Sequence, residues 1–140
     1  FTLLFSKKIC EKRVGIFLEC PFCRQEMRSI VLENDHALAF YDKYPVQKGH
    51  LLIIPKKHVE TYFEADNEQI MAIHDLIHKG KMILDKEFQP DGYNIGVNIG
   101  YYGGQTISHL HFHLIPRYKG DIEDPRGGVR RIVKNLVEYP

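Results

Sequence analysis

Three histidines alternate with apolar residues near the end of the chain, at positions His109, His111 and His113. Successive side chains of a β-strand point to opposite faces, so these imidazoles are predicted to line one face, about 6.5 Å apart from one to the next. Imidazole is a nucleophile, a general acid or base near neutral pH, or a metal ligand. The alternation therefore predicts an active site, a metal site, or a combination of the two.

Two cysteines, Cys20 and Cys23, are separated by two residues. This spacing lets both thiolates reach one tetrahedral ion, and zinc bound in this way needs two further ligands. Histidines elsewhere in the chain are the candidates for those ligands. Two other interpretations stay open from the residues alone: a redox pair, and two inert buried thiols.

The run from His109 to Ile115 reads His-Leu-His-Phe-His-Leu-Ile, and it resembles the signature of the histidine triad (HIT) family. Further segments resemble family positions in the same order along the chain: residues 40–42, 48–50, 55–58, 104–106 and 115–117. The resemblance covers roughly residues 20–130 and leaves residues 1–19 outside. It is strongest to the prokaryotic branch that is described as diadenosine-polyphosphate hydrolases.

The resemblance implies a two-step reaction centred on His111. In the family, the middle histidine attacks the α-phosphorus of a nucleotide derivative and forms a covalent nucleotidyl-histidine, which water or another acceptor then cleaves. His113 is implied to donate to phosphate oxygens and to help protonate the leaving group. His50 is implied to line the site and to orient His111.

The resemblance also implies the substrate contacts, the metal ligands and the partners. The implied nucleotide contacts are Asp42 with the ribose, Phe40 with the base, and Asn98, Gln105, Thr106 and His113 with the phosphate. The implied structural zinc site consists of Cys20, Cys23, His58 and His109. The implied partners are a small nucleotide substrate and a second copy of the chain, which forms a homodimer through the long helix and a strand edge.

The elements that must position these residues indicate an α+β fold, with a mainly antiparallel five-stranded sheet, one long helix and a short N-terminal helix. Apolar stretches bounded by turn residues predict strands over residues 29–33, 37–41, 50–54, 93–98 and 109–117. Apolar residues recurring near the helical period predict a helix from Asp66 or Asn67 to about Phe88. Residues 1–19 are predicted to form an N-terminal extension, and residues 20–140 a single HIT domain.

Length and composition fit one soluble domain. The 140 residues are 44% hydrophobic and 26% charged, and the longest nearly apolar run, residues 51–55, is too short to cross a bilayer. A formal charge of +1 argues against a nucleic-acid binder, which needs a basic surface. The apolar start of the chain lacks a small-residue cleavage site, and three cysteines do not suit a disulfide framework. We therefore expect a cytoplasmic protein, with neither a membrane nor a nucleic acid as partner.

These observations predict a nucleotide hydrolase or transferase, which cleaves at the α-phosphate of dinucleoside polyphosphates or of nucleoside monophosphate derivatives. A phosphorylase, which uses inorganic phosphate where a hydrolase uses water, fits the same motif. Two alternatives come from other classes. One is a nucleotide-binding regulator or scaffold with negligible turnover, and the other is an enzyme in which His109, His111 and His113 hold a catalytic metal.

Overall fold

The computed structural model describes residues 20–24 and 29–133. The predicted N-terminal extension, residues 1–19, and the short helix predicted there lie outside the described residues. The described part contains five strands, one long helix and three short 3-10 helices. No helix among the described residues combines the length and the apolar composition that crossing a bilayer requires.

The five strands form one sheet in which every neighbouring pair is antiparallel. They are β1 (Ile30–Glu33), β2 (Ala37–Tyr41), β3 (Leu51–Pro55), β4 (Gly92–Val97) and β5 (Phe112–Arg117). Their order across the sheet is β1-β2-β3-β5-β4, so β5 lies between β3 and β4. The long helix α1 (Asn67–Phe88) lies between β3 and β4 in the chain, and the 3-10 helices span Tyr62–Glu64, Tyr101–Gly103 and Gly128–Ile132. The predicted α+β fold with a five-stranded antiparallel sheet is confirmed.

Helix α1 begins where its capping residues predict. The Asp66 side chain accepts a hydrogen bond from the Gln69 backbone N–H at 2.8 Å, and the Gln69 side chain accepts from the Asp66 N–H at 3.0 Å. This reciprocal pair satisfies two N–H groups that a helix start otherwise leaves without partners. The helix ends at Phe88, because Gln89 adopts a left-handed conformation with φ of 50° and Pro90 follows.

The sheet has an apolar cluster on each face, because side chains alternate along every strand. The first cluster lies between the sheet and α1. It consists of Ala37, Ala39, Leu51, Ile53, Ala72, Ile73, Leu76, Leu84, Leu110 and Leu114. The second cluster consists of Cys20, Phe22, Cys23, Leu38, Phe40, Leu52 and Ile54. The N-terminal cysteine segment is therefore part of the core, on the face of the sheet that α1 leaves uncovered.

The turn before β3 is pressed against α1 at Gly49. This residue has a φ of +84°, and a Cβ there would lie 2.9 Å from Leu84 Cδ2 and 3.0 Å from Phe88 Cδ2. Only glycine accepts both the backbone conformation and the close approach. The fit fixes the start of β3 and thereby the position of His50.

The last strand is shorter than the predicted strand over residues 109–117, because β5 begins at Phe112. The Leu110 N–H donates to the Val59 carbonyl at 2.7 Å instead of to a strand neighbour. The Pro55 carbonyl, at the end of β3, accepts from the His109 ring at 2.9 Å, and proline has no N–H to offer. His109 and His111 therefore precede the regular strand, and the prediction that all three histidines lie within it is wrong.

Candidate active site and metal site

The imidazole of His111 is buried and held by one backbone hydrogen bond. Its Nδ1 lies 2.8 Å from the carbonyl oxygen of His109. A carbonyl oxygen can only accept, so Nδ1 carries the proton and Nε2 carries the lone pair. Burial lowers the pKa of His111 below its ordinary value of 6.5, which keeps the ring neutral at physiological pH. A neutral imidazole with a defined lone pair is the form that a nucleophilic histidine requires.

His113 and His50 form a hydrogen-bonded pair next to His111. The Nε2 atom of His50 lies 2.9 Å from Nδ1 of His113, and the rings of His111 and His113 have their centroids 5.2 Å apart. The Val46 backbone N–H lies 3.2 Å from Nδ1 of His50. An amide N–H can only donate, so the proton of neutral His50 is at Nε2 and points to His113. His113 then accepts at Nδ1 and carries its own proton at Nε2.

The Nε2 atom of His113 is buried and has no hydrogen-bond partner among the described residues. A buried polar group without a partner costs free energy unless a ligand or water supplies one. Burial, together with the neighbouring His111 and His50, lowers the pKa of His113 to about 4. His113 is therefore neutral at physiological pH and offers one N–H donor to an incoming ligand.

A cavity of about 770 Å³ adjoins this pair. It runs over strands β4 and β5 from His50 and His113 to the 3-10 helix Gly128–Ile132. Its walls include the apolar side chains Val46, Val97, Ile99, Ile115 and Val129. The volume and mainly apolar lining are those of a small-molecule site, which commonly occupies several hundred Å³.

The predicted phosphate contacts lie on either side of the glycine-rich turn, residues 100–104, that follows β4. Asn98 is exposed and lines the cavity together with His113, and Thr106 is exposed. Gln105 is engaged in the turn itself: its side-chain amide donates to the Glu60 and Ile107 carbonyls at 2.7 and 3.0 Å, and its Oε1 accepts from the Gly100 N–H. Gln105 therefore shapes the turn, and contacts to phosphate by Asn98, Gln105 and Thr106 stay predictions.

The predicted nucleoside contacts lie on β2 and just after it. One Asp42 oxygen accepts from the Tyr44 N–H at 2.9 Å, and the other lies 3.5 Å from Nε2 of His50. Phe40 is buried, and its ring packs edge-on against Phe22 with the centroids 5.6 Å apart. Asp42 thus adjoins the hydrogen-bonded pair of His50 and His113, and Phe40 belongs to the core. Their contacts to ribose and base stay predictions.

Four side chains that the sequence predicts as metal ligands converge on one point. Their ligand atoms all lie within 4.8 Å of one another, and the four residues are Cys20, Cys23, His58 and His109. The sulfur-to-Nδ1 distances are 3.6 Å for Cys20 and His109, 3.5 Å for Cys23 and His109, and 3.3 Å for Cys23 and His58. The two Nδ1 atoms are 3.1 Å apart. The predicted set is therefore brought together.

These distances suit a tetrahedral zinc ion. Zinc bonds of about 2.3 Å to sulfur and 2.0 to 2.1 Å to nitrogen place a sulfur and a nitrogen about 3.6 Å apart, and two nitrogens about 3.3 Å apart. The buried His109 ring donates from Nε2 to the Pro55 carbonyl at 2.9 Å, which leaves Nδ1 unprotonated and facing the cysteines. Metal-binding histidines commonly make such a second hydrogen bond. Two sulfurs and two imidazole nitrogens are a typical donor set for structural zinc.

The geometry does not favour a catalytic metal held by all three histidines of the motif. His109 turns to the cysteines, whereas His111 uses Nδ1 to donate to a carbonyl. A second group of metal-type ligands in the described part is Asp42, His50 and His113. In that group, Nδ1 of His50 accepts a hydrogen bond from the Val46 N–H, so the proton of the neutral ring is at Nε2. A protonated nitrogen cannot bind a metal.

A polar network beside the cavity was not predicted from the sequence. Asp121 accepts from Arg117 at 2.7 and 2.9 Å and from the Gln47 side chain at 3.1 Å, and Arg117 also donates to Asn94 at 2.7 Å. The Arg117 guanidinium holds the pKa of Asp121 at about 2, so the carboxylate is charged at physiological pH. The four-residue spacing of Arg117 and Asp121 across a glycine turn is the signal that could have revealed part of this network.

Comparison with known proteins identifies the family. The model of the HIT domain matches residues 24–120. An uncharacterized HIT-like protein of Methanocaldococcus jannaschii is 41% identical over 121 residues, which cover 84% of this chain and 91% of that protein. The adenosine 5′-monophosphoramidase of Schizosaccharomyces pombe is 35% identical over 104 residues, which cover 71% of this chain and 75% of that enzyme.

Solved structures agree in fold. A HIT family protein from Bacillus anthracis superimposes with a TM-score of 0.70 at 40% identity, over 73% of this chain and 75% of that one. A zinc-bound histidine triad family protein from Mycobacterium smegmatis gives 0.68 at 28% identity, over 74% and 78%. The diadenosine triphosphate hydrolase of Plasmodium falciparum gives 0.65 at 28% identity, over 70% and 67%. The chain with the buried histidine pair and the cysteine–histidine cluster described above belongs to the HIT domain family.

Proposed function

We propose that this protein is a nucleotide hydrolase or nucleotidyl transferase that works through a covalent nucleotidyl-histidine on His111. The observation that carries the proposal is the hydrogen bond from His111 Nδ1 to the His109 carbonyl, which leaves the Nε2 lone pair for attack. After attack, the ring carries a positive charge and still has a proton at Nδ1. The same carbonyl then faces that charge and stabilises the intermediate.

In the proposed reaction, His111 Nε2 forms a bond to the α-phosphorus as the bond from phosphorus to the leaving group breaks. The His113 Nε2–H donates a hydrogen bond to the departing atom or to a phosphate oxygen and so helps protonation of the leaving group, which takes a proton from solvent while His113 stays a neutral imidazole; the proton of the water that attacks in the second step returns to solvent. Water then attacks phosphorus and the bond to His111 breaks. Over the two steps, water gives a hydroxyl to phosphorus and a proton to the leaving group, and His50 holds His113 in its donor form.

The proposed substrates are dinucleoside polyphosphates and nucleoside monophosphate derivatives such as phosphoramidates. A relative named as a monophosphoramidase and a structural neighbour named as a diadenosine triphosphate hydrolase support both classes. We propose nucleoside contacts by Asp42 and Phe40. Phosphate contacts are proposed for Asn98, Gln105 and Thr106, on either side of the turn that Gln105 shapes.

We further propose that Cys20, Cys23, His58 and His109 hold one structural zinc ion, which ties the N-terminal cysteine segment to the sheet. The converging donor atoms and the zinc-bound neighbour support this assignment. Zinc-binding thiolates require a reducing compartment, and this favours a cytoplasmic location. The metal plays no part in the proposed chemistry at His111.

A homodimer is proposed through α1 and the outer edge of β4. Strand β4 is an edge strand with unpaired backbone groups on one side, and Ile95 on this strand is 49% exposed. Pairing of two β4 edges would join two sheets into one. Analytical ultracentrifugation is expected to give a dimer, and Ile95→Asp is expected to give a monomer. A wild-type monomer at micromolar concentration contradicts this proposal.

The test of the enzymatic proposal compares the wild-type protein with His111→Ala on adenosine 5′-phosphoramidate and diadenosine triphosphate. The wild type is expected to release AMP and, after rapid quenching, to carry an adenylyl group on His111 in peptide mass spectra. His111→Ala is expected to lose both, while His36→Ala, which removes an exposed histidine outside the site, keeps both. Full activity of His111→Ala contradicts the mechanism, and negligible turnover by the wild type favours the regulator or scaffold.

The acceptor is identified by repeating the assay on diadenosine triphosphate with inorganic phosphate. A hydrolase gives AMP and ADP with and without phosphate. A phosphorylase requires phosphate and gives ADP from both halves. The proposal of a hydrolase expects AMP in both conditions.

A further inference from the structure

We propose that Gln47 and Asp121 position the catalytic pair: their contact holds the loop whose Val46 amide fixes the proton positions on His50 and His113. Both are positioning residues, since neither touches the reacting atoms. The inference rests on the proposed function only in taking His113 as the donor to the substrate, because the proton positions themselves can be measured on the resting protein.

The first step concerns what decides the tautomers. His50 has two ring nitrogens, and Nδ1 accepts from the Val46 N–H at 3.2 Å. Nε2 of His50 must then carry the proton in the neutral ring, and it lies 2.9 Å from Nδ1 of His113. His113 accepts at Nδ1 and keeps its proton at Nε2, the buried atom with no partner among the described residues. The Val46 amide thus makes His113 present a proton, and not a lone pair, to a ligand, and the Asp42 oxygen 3.5 Å from Nε2 of His50 favours the same tautomer of His50.

The second step concerns what holds that amide. Val46 lies in the loop between β2 and β3, and its side chain is exposed, so side-chain packing does not fix it. The next residue, Gln47, reaches across to Asp121 with an Nε2-to-Oδ2 distance of 3.1 Å. The Gln47 carbonyl also accepts from the His50 N–H at 3.2 Å, which closes a turn over Lys48 and Gly49 directly after Val46. The side chain of Gln47 is therefore the anchor nearest to the critical amide.

The third step concerns why Asp121 is a firm anchor. Its side chain is only 8% exposed, and it accepts from the Arg117 guanidinium through two atoms and from the Tyr118 N–H. Arg117 is the last residue of β5, the strand that carries His113. The Asp121 carboxylate thus holds both the loop that precedes His50 and the end of the strand that carries His113. A charged, buried and fully bonded acceptor keeps its geometry better than an exposed side chain does.

Loss of this anchor has a defined chemical consequence. If the Val46 amide turns away, Nδ1 of His50 can take the proton and Nε2 becomes the acceptor. His113 then donates from Nδ1 and presents the lone pair of Nε2 to the phosphate oxygens. A lone pair repels an anionic ligand where a proton attracts it, so the donor to the leaving group is lost.

The test reads the tautomers directly, by two-bond proton–nitrogen correlation NMR on protein labelled with nitrogen-15 histidine at pH 7.5. In the wild type, His113 is expected to be protonated at Nε2 and His50 at Nε2. A wild-type His113 protonated at Nδ1 overturns the inference without any variant. Because no substrate is present, the measurement stands even if the proposed enzymatic activity fails.

Two substitutions, each of which removes one side-chain hydrogen bond of this loop, distinguish the effect of the Gln47 contact from that of a generally more mobile loop. Gln47→Leu removes the contact to Asp121, whereas Tyr118→Phe removes the other tie of the same loop, the bond from Tyr118 Oη to the Lys48 carbonyl at 2.7 Å. Gln47→Leu is expected to move a measurable fraction of His113 to the Nδ1-protonated form and to lower kcat about tenfold, with KM little changed. Tyr118→Phe is expected to keep the wild-type tautomers. Unchanged tautomers in Gln47→Leu, or the same shift in both variants, overturn the inference.

A substitution of nearly the same size tests Asp121 itself. Gln47→Glu places a second carboxylate against the Asp121 oxygen that accepts from Gln47, and it is expected to shift the tautomers as Gln47→Leu does. Unchanged tautomers in the folded Gln47→Glu variant show that the Asp121 contact is not what positions the amide.

Discussion

The His111 ring donates from Nδ1 to the carbonyl oxygen of His109, two residues earlier, at 2.8 Å. The ring of His109 meanwhile faces Cys20 and Cys23, and its Nε2 donates to Pro55. One residue thus contributes its backbone to the proposed nucleophile and its side chain to the proposed metal site. The two sites share the residue His109, so the orientation of one depends on the other.

The pH dependence of kcat/KM is expected to reflect the neutral form of His111. Burial lowers the pKa of His111 below 6.5, and protonation of Nε2 removes the lone pair that attacks phosphorus. The value of kcat/KM is therefore expected to stay constant from pH 8 down to about 6.5, the ordinary pKa of histidine, and to fall at lower pH. Steady-state kinetics between pH 4.5 and 8 measure it, with His36→Ala as the control. An acidic limb centred above pH 6.5 contradicts the prediction.

Substitution of His113 is expected to affect poor leaving groups most. His113→Ala removes the Nε2 donor, so kcat/KM for an amine leaving group is expected to fall by about 10²- to 10⁴-fold. For a nucleotide ester of a nitrophenol, whose leaving group needs no proton, the loss is expected to be much smaller. Equal losses for both substrates would assign His113 to binding instead of leaving-group departure.

Zinc content and stability are expected to change together. Cys20→Ser removes one of four converging ligands, and we expect the metal content to fall from one zinc per chain. The melting temperature is expected to fall by roughly 5 to 10 °C, which corresponds to about 2 to 3 kcal/mol for a domain of this size. Metal analysis and calorimetry on protein purified in reductant measure both quantities.

The control for the zinc prediction is His36→Ala, which removes an exposed histidine that is not one of the four candidate ligands. It is expected to keep both the zinc and the melting temperature under the same reducing conditions. Full zinc content in Cys20→Ser would place the metal elsewhere.

Gly49→Ala is expected to lower the free energy of unfolding by about 1 to 3 kcal/mol, because the new Cβ is strained at positive φ and meets α1. The contact is close, since a Cβ would lie 2.9 Å from Leu84 Cδ2. Gly103→Ala is the matched control, because a Cβ there has open space and the backbone φ is not positive. Urea denaturation measures both variants. Equal stabilities of the two would show that the turn adjusts at little cost.

Local patterns made α1 and β2 predictable. The Asp66 cap and the apolar periodicity lie within the helix segment itself, and α1 runs over Asn67–Phe88 as predicted. Strand β2 covers Ala37–Tyr41, the same residues as predicted. The start of β5 was not predictable in this way, since it depends on Pro55 and Val59, which lie more than fifty residues from their partners His109 and Leu110.

The candidate site could be predicted only in part. The alternation of the histidines and the spacing of the two cysteines are visible in the sequence, but Cys20 and His109 are 89 positions apart, and a resemblance was needed to pair them. The Val46 amide could not be found, because every residue except proline has the same backbone N–H. The role of Asp121 could not be predicted either, because a carboxylate in a turn is usually solvated and only the fold brings it to Gln47.

The order of the strands has a consequence for how the protein is made. Strand β5 is the last of the five described strands in the chain, yet it lies between β3 and β4 and pairs with both. During synthesis, β4 therefore leaves the ribosome before β5, the only described strand with which it pairs. His50, at the start of β3, then has no β5 beside it. A product that stops before Phe112 has part of the pocket wall but lacks both the strand that closes the sheet and His113. The same segment thus completes the sheet and supplies His113, so the proposed catalytic site is complete only when the sheet is complete.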